Sequence, residues 1–255
     1  MSRRLTHRLR DGLIDAGARA GLSIVPTWRL DRLPMAKHLR RLFAHLRVDL
    51  VLDVGANLGQ YRDFLRDEVG YAGRIVSYEP IPDHAAAMRQ RAESDPLWTV
   101  EAKALGRAPG TATFNVMAGS QFSSFLTPEH NEVSLFREQN AVSHAIDVPV
   151  STVALELEAI DRGAPAVRPY LKLDTQGFDL AVLDGAGSAL ERIVALQSEA
   201  SVRKIYTDAP DYVTTLQTIE RRGFALSGIF PNNDGHFPQL VEFDCVFVSR
   251  RELAH

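Results

Sequence analysis

VDLVLDVGANLGQY, residues 48–61, is the stretch that decides the fold. Seven mostly apolar residues, too few for a helix and rich in Val and Leu, lead past Asp53 into a turn with Gly55 and Gly59. That pattern predicts a buried strand feeding a nucleotide-type loop. In an open parallel sheet a ligand sits beyond the carboxyl ends of the strands, so residues 53–61 are expected at the edge of a binding site. Gly55 permits a tight turn, Asn57 tolerates the left-handed region, and Gly59 lets the next helix come close.

What this loop lacks narrows the ligand. A dinucleotide site has three glycines as GxGxxG and rests two phosphates on a helix N-terminus. Here the run is Asp-Val-Gly-Ala-Asn-Leu-Gly, residues 53–59, with a carboxylate at the strand end and no lysine for a phosphate. A carboxylate there repels a pyrophosphate and attracts an ammonium. S-adenosylmethionine (SAM) carries an amino-acid ammonium and no phosphate. Twenty residues past Gly59, RIVSYEP puts Glu79 at the end of a second short strand, where a carboxylate can accept both hydroxyls of an adenosine ribose. Taken alone, Asp53 also suits a helix cap or turn; together the two acids favour SAM over NAD.

A chain of 255 residues can bury a large core as one α/β domain. Its 45% hydrophobic and 24% charged content is that of an ordinary soluble globular protein. The single cysteine, Cys245, rules out an internal disulfide and a cysteine-based zinc cluster, and suits a reducing cytoplasm. No apolar run approaches the roughly 18 residues of a membrane span. The basic start MSRRLTHRLR runs into DGLIDAGARAG, not into the apolar core of a signal peptide. Residues 1–47 hold eleven Lys and Arg against three Asp, a net of +8, which leaves −11 for residues 48–255. Leu39, Leu42, Phe43 and Leu46 recur at helical spacing, so this basic extension is expected to be helical and to pack on the acidic body. No nucleic-acid partner is expected.

After Glu79 an alanine-rich helix is expected from about Pro82, then a strand in LWTVEAKALG ending at Ala104–Gly106, then another strand in GTATFNVM. Strands alternating with helices predict a doubly wound, mostly parallel sheet. The backbone at Lys103–Leu105, with Ala104 at its centre, is a candidate adenine edge. Residues 118–144 have the length and composition of an active-site loop with a short helix inside it. PDYVTTLQTIERRG reads as an amphipathic helix through Val213, Leu216 and Ile219, closed by Gly223. FALSGIF and VEFDCVFVSR then read as a β-hairpin whose polar connection carries Asn232, Asn233, Asp234 and His236. Those four face either an acceptor or solvent.

In their order along the chain, VLDVGANLGQY, IVSYEP, AKALG, VPVSTVALELEAI, YLKLDTQGFDLAVLDGAGSAL and the glutamate of LQSEAS resemble the FkbM-type SAM-dependent O-methyltransferases. The resemblance covers roughly residues 48–250, and the paired motifs GANxGxY and KxDxxGxxxxVLxGA make it specific. It implies a Rossmann-like, seven-stranded class I methyltransferase domain over 48–255 with an added N-terminal helical segment. It also implies that Asp53, Gly55, Asn57, Gly59, Tyr61 and Glu79 carry the cofactor and that Asp174 lies beside the transferred methyl. Within the family the chain looks like members acting on methylated mannose oligosaccharides. It departs from the pattern at Gln176, where Glu is usual, and at Asp179, where a second Glu is common. One negative charge near the acceptor is thereby removed.

A sulfonium methyl is already activated, so its transfer to oxygen needs in-line positioning and a base for the acceptor hydroxyl. His144 follows the long loop and opens the strand HAIDVPV, which makes it a candidate base; it also suits an ordinary loop position. Asp174 ends the strand PYLKLD and Glu199 ends IVALQSEA, both near the ligand edge of the sheet. Two carboxylates with no adjacent base are costly unless they meet something positive. Either a Mg²⁺ ion held by Asp174, Glu199 and the acceptor's oxygens, or sugar hydroxyls without metal, would satisfy them. The expected reaction is methyl transfer to a hydroxyl of a sugar, oligosaccharide or other polyhydroxylated metabolite. A non-catalytic binding module and a nicotinamide-linked oxidoreductase are the alternatives.

Overall fold

In the computed structural model, which describes residues 30–130, 136–161, 167–231 and 238–253, the stretch from Leu50 to Val54 is a strand, β1, buried at every position. The chain divides into two compact units, Met1–Pro34 and Met35–His255, and the fold is that of the second. Helix α1, Leu33–Leu46, precedes β1 and buries Leu39, Phe43 and Leu46, three of the four residues that mark its apolar stripe. After β1 come a short helix α2, Gln60–Phe64, continued by one π turn, strand β2, Arg74–Tyr78, helix α3, Pro82–Ala92, and β3, Trp98–Glu101. Helix α3 starts with its proline in the first turn, where the missing N–H costs nothing.

Strands β4 (Ala104–Leu105), β5 (Gly110–Met117) and β6 (Val142–Ser151) follow, then helix α4 (Val153–Asp161) and β7 (Pro169–Leu173). Helix α5 (Asp179–Asp184), β8 (Ala195–Ser201), helix α6 (Tyr212–Arg221), β9 (Phe224–Pro231) and β10 (Glu242–Ser249) complete the chain. The central sheet has seven strands in the order β3-β2-β1-β7-β8-β10-β9. Its first five are parallel, while β10 runs antiparallel to both neighbours, so the last two form the expected hairpin. The order reverses beside β1, the switch point at which such sheets open a crevice.

Two readings change. LWTVEAKALG, read as one strand, is two: β3 joins the central sheet, whereas β4 pairs with β6 in a separate three-stranded sheet, β4-β6-β5. The stretches GTATFNVM and HAIDVPV thus build a second layer. Helix α6 turns Thr215 and Ile219 inward and leaves Val213 exposed. Its N-cap is Asp211, whose carboxylate accepts from the Thr214 N–H. The expected short helix in the long loop is a 3₁₀ turn, Ser120–Phe122. Asn232, Asn233, Asp234 and His236 lie outside the described residues, as does the chain before Leu30.

Helices cover both faces of the central sheet, as a doubly wound sheet requires. On one face, Val51, Ile75 and Tyr170 pack with α1, α2 and α3 through Leu39, Phe43, Phe64 and Met88. On the other, Leu50, Leu52, Leu171, Leu173 and Leu196 pack with α4, α5 and α6 through Leu157, Val182 and Ile219. Among the described residues no helix is long and apolar enough to cross a membrane.

Candidate functional site

Because side chains alternate along a strand, the register of the central sheet puts particular residues in one row. Asp53 on β1 stands beside Ser77 on β2 and Lys172 on β7, and Lys172 stands beside Gln197 on β8. All four are buried. Ser77 Oγ donates to Asp53 Oδ2 at 2.9 Å and accepts from Trp98 Nε1 at 3.0 Å. Lys172 Nζ lies 3.2 Å from Asp53 Oδ1. That contact is one of charge, since Oδ1 has no aligned hydrogen-bond donor. Gln197 Oε1 accepts from Tyr61 Oη at 2.8 Å and from Tyr170 Oη at 3.1 Å, and its amide donates to Asp244.

Two positions further along the same strands come the residues at the carboxyl end of the sheet, where the ligand is expected. The Glu79 carboxylate accepts from the Asn57 and Ile81 N–H groups, each at 2.8 Å, and so ties the glycine loop to the end of β2. Burial pushes its carboxyl up to about 7 against the pull of those two N–H groups. Gly55 has a φ of 80°, and a Cβ there would stand 1.9 Å from the Asp174 carbonyl oxygen, so a side chain is excluded by conformation and by space. Gly59, at φ 83°, lies against the Trp98 ring. Asn57 takes the left-handed region at φ 50°, as its residue type allows. Ser120, from the turn after β5, donates to Asn57 Oδ1 at 3.2 Å. Ala104 is buried on β4.

Asp174 and Glu199 come together. Gln176, in the left-handed region at φ 54°, donates from Nε2 to Asp174 Oδ1 at 3.1 Å and to Glu199 Oε2 at 3.0 Å. Its carbonyl faces Tyr206 Oη at 3.0 Å. The amide therefore bridges two carboxylates at the position where the family pattern has an acid. Asp179 is buried and accepts from Thr175, Ser198 Oγ and the Glu199 N–H, so it pins the turn after β7 to β8.

Several expectations need correcting. The two carboxylates do have an adjacent base: Lys172 Nζ lies 3.1 Å from Asp174 Oδ2. Burial alone would push the Lys172 ammonium down, but Asp174 and Asp53 outweigh it and hold it above the usual lysine range. Asp53, expected to face the cofactor's ammonium, is 0% exposed and faces Lys172 and Ser77 instead. Tyr61 likewise spends its hydroxyl on Gln197, and its ring lies under Lys172 at 5.0 Å. His144 is exposed on β6, paired across to Val116, with Nδ1 3.3 Å from Ser143 Oγ. Among the described residues no three His, Cys, Asp or Glu converge as a metal site.

Sequence reasoning missed Lys172, although the alternation of Tyr170, Lys172 and Asp174 with Leu171 and Leu173 puts the lysine on the face of Asp174. Glu242 and Asp244 carried no such signal, because β10 folds back from far along the chain. Asp244 pairs across to Glu199, and Glu242, 6% exposed, has its carboxyl pushed up to about 8 by burial and by Asp174 and Asp244. Burial pushes Asp244 up to about 6, Gln197 lowering and Asp174 raising it. Burial and the charge of Glu242 hold Glu199 well above the carboxylate range.

Several solved structures are distantly similar to this chain. A Klebsiella pneumoniae protein provisionally assigned as an O-methyltransferase is 13% identical, with 94% of this chain and 89% of that chain covered and a TM-score of 0.46. An O-methyltransferase from Bacillus cereus in complex with SAH is 12% identical over 94% and 90% of the two chains, at 0.43. An rRNA methylase from Streptococcus thermophilus is 10% identical over 86% and 98%, at 0.42. Likenesses this distant say nothing of chemistry. No curated protein matches the chain significantly. The methyltransferase FkbM domain matches residues 53–226, which include the glycine loop, Glu79, Lys172, Asp174 and Glu199. The chain belongs to the FkbM methyltransferase family and is a SAM-dependent methyltransferase.

Proposed function

We propose that the protein transfers the methyl group of SAM to a hydroxyl oxygen of a sugar or other polyhydroxylated metabolite. The observation that carries this reading is the pairing of Asp174 and Glu199 through Gln176, directly beside the glycine loop. Carboxylates and a carboxamide accept and donate to vicinal hydroxyls, which is how neutral polyols are held. Asp174 is open to solvent, its side chain 40% exposed, and its backbone abuts Gly55, which supports a position beside both cofactor and acceptor. In the reaction the acceptor oxygen forms a bond to the methyl carbon as the sulfur–methyl bond breaks. SAH leaves, and the hydroxyl proton passes to a base.

Glu79 supports the cofactor assignment. Two of its lone-pair positions hold the loop, and ribose hydroxyls would donate to the remaining ones. Asp53 acts through Lys172 in this reading rather than on the ligand. Two groups are candidates for the base: Asp174, which stands at the site, and His144, on the sheet whose turn reaches Asn57 through Ser120. A positioned base contributes about 10² to 10⁴ in rate.

Asp174 and Glu199 match the two-carboxylate habit of Mg²⁺ in number. The Gln176 amide nitrogen stands between them, however, and no third ligand converges among the described residues. The residues as arranged do not fit the ion, so no step is routed through it. Methyl transfer to a panel of sugars, with EDTA and with added Mg²⁺, tests the reading. Turnover on hydroxylated sugars is expected, and full activity in EDTA removes the metal. Loss of turnover in His144→Ala with SAM affinity kept assigns the base to His144, whereas normal turnover leaves it to Asp174. No transfer to any hydroxyl acceptor contradicts the reading.

A further inference from the structure

The row Ser77, Asp53, Lys172 and Gln197 crosses four strands inside the body of the sheet. A buried ionic row of this kind is an expensive way to hold a sheet together, because apolar residues of similar volume often do as well or better. The expense falls at one place. Lys172 Nζ touches Asp53 Oδ1 at 3.2 Å and Asp174 Oδ2 at 3.1 Å while it lies over the Tyr61 ring. Asp53 and Tyr61 flank the glycine loop, whereas Asp174 follows β7 and opens to solvent.

We propose that Lys172 is a positioning residue that fixes Asp174 against the cofactor loop, so that the strand carrying the loop and the strand carrying Asp174 hold one geometry at the methyl. This rests on the reading that Asp174 lies beside the SAM methyl. Each Asp174 oxygen has its own restraint. Oδ2 is held by the ammonium and Oδ1 by the Gln176 amide. A carboxylate held at both oxygens keeps its orientation without contact from the ligand, which is what preorganisation at a transfer site requires. Lys172 is itself held from below, since Asp53 is fixed by Ser77, and Ser77 by Trp98.

The test uses SAM labelled with ¹³C at the methyl, bound to the full-length protein, and reads the bound methyl resonance by NMR. Lys172→Met alone strands the buried Asp53 charge and endangers folding. The decisive variant is therefore Asp53→Asn with Lys172→Met, which removes both buried charges and releases Asp174 Oδ2 while the Gln176 amide still holds Oδ1. Asp174→Asn serves as the reference, and Leu171→Ala, on the opposite face of β7, controls for mere loss of stability. The expected result is a methyl resonance displaced in the double variant in the same direction as in Asp174→Asn, and unmoved in Leu171→Ala. A double variant that binds SAM with its methyl resonance at the wild-type position overturns the proposal. A resonance unmoved in Asp174→Asn overturns the placement of Asp174 itself, and the proposal with it.

Discussion

On one face of the central sheet, Leu50, Leu52, Leu171, Leu173 and Leu196 meet the apolar sides of three helices. On the other face the same strands begin with Val51, Ile75 and Tyr170 and then change character, giving Asp53, Ser77, Lys172 and Gln197 a row of their own. The first face is held by non-directional burial, which tolerates exchange of one aliphatic residue for another. The second adds to its apolar packing a row joined by charge and hydrogen bonds, in which each group depends on its neighbour. The polar row runs directly under Asp174 and Glu79. The difference teaches that one face of this sheet is apolar along its length, whereas the other joins an apolar core to a row of interdependent polar groups that leads to the ligand edge proposed above.

The largest effect expected from breaking this contrast is on the polar face. Lys172→Met leaves Asp53 buried and uncompensated, and should destabilise the protein by about 3–5 kcal/mol. Urea unfolding measures it. Replacing both partners as Asp53→Asn with Lys172→Met should restore most of that loss. On the apolar face, Leu171→Ala should cost about 2–5 kcal/mol by leaving a cavity, with SAM affinity unchanged in the folded protein. A large change in SAM affinity in Leu171→Ala would erase the distinction between the faces.

At the ligand edge the cost should appear in binding. If Glu79 holds the ribose as proposed, Glu79→Ala removes charge-assisted hydrogen bonds to it and should weaken SAM by about 1.5–3 kcal/mol. Calorimetry on a folded variant that shows unchanged affinity would sink the ribose assignment.

The smallest effect concerns pH. Glu79, Asp244 and Glu242 are held at about 7, 6 and 8, above the carboxylate values of an unfolded chain, so the native state binds more protons in that interval. Stability from these groups is greatest at the acid end and is lost as pH rises through those values. Melting temperature measured across about pH 5 to about pH 8.5 should fall in that direction. SAM affinity should run the other way, since ribose hydroxyls prefer the ionised Glu79. A melting temperature that rises with pH over the interval would remove the buried carboxylates from the account.

Much of this was legible in the sequence. The strand and loop at 48–61, Glu79 and the closing hairpin follow from apolar runs, glycines and strand-end acids, all local signals. Two features were hidden by their form. Lys172 sits within an apolar-looking strand, and only its period-two kinship with Tyr170 and Asp174 shows which face it takes. Strand β4 is two residues long, too short to announce that the chain leaves the central sheet there. Asp53 misled for a physical reason: an acid at a strand end looks like a ligand group until its partner, more than a hundred residues away, is known. Glu242 and Asp244 could be joined to Glu199 only by the antiparallel register of β10.

The most direct test of the central claim, that this sheet edge holds SAM, is a calorimetric titration of the full-length protein with SAM and, separately, with NAD. Saturable binding of SAM with none of NAD is the expected result. Binding of NAD without SAM would contradict it.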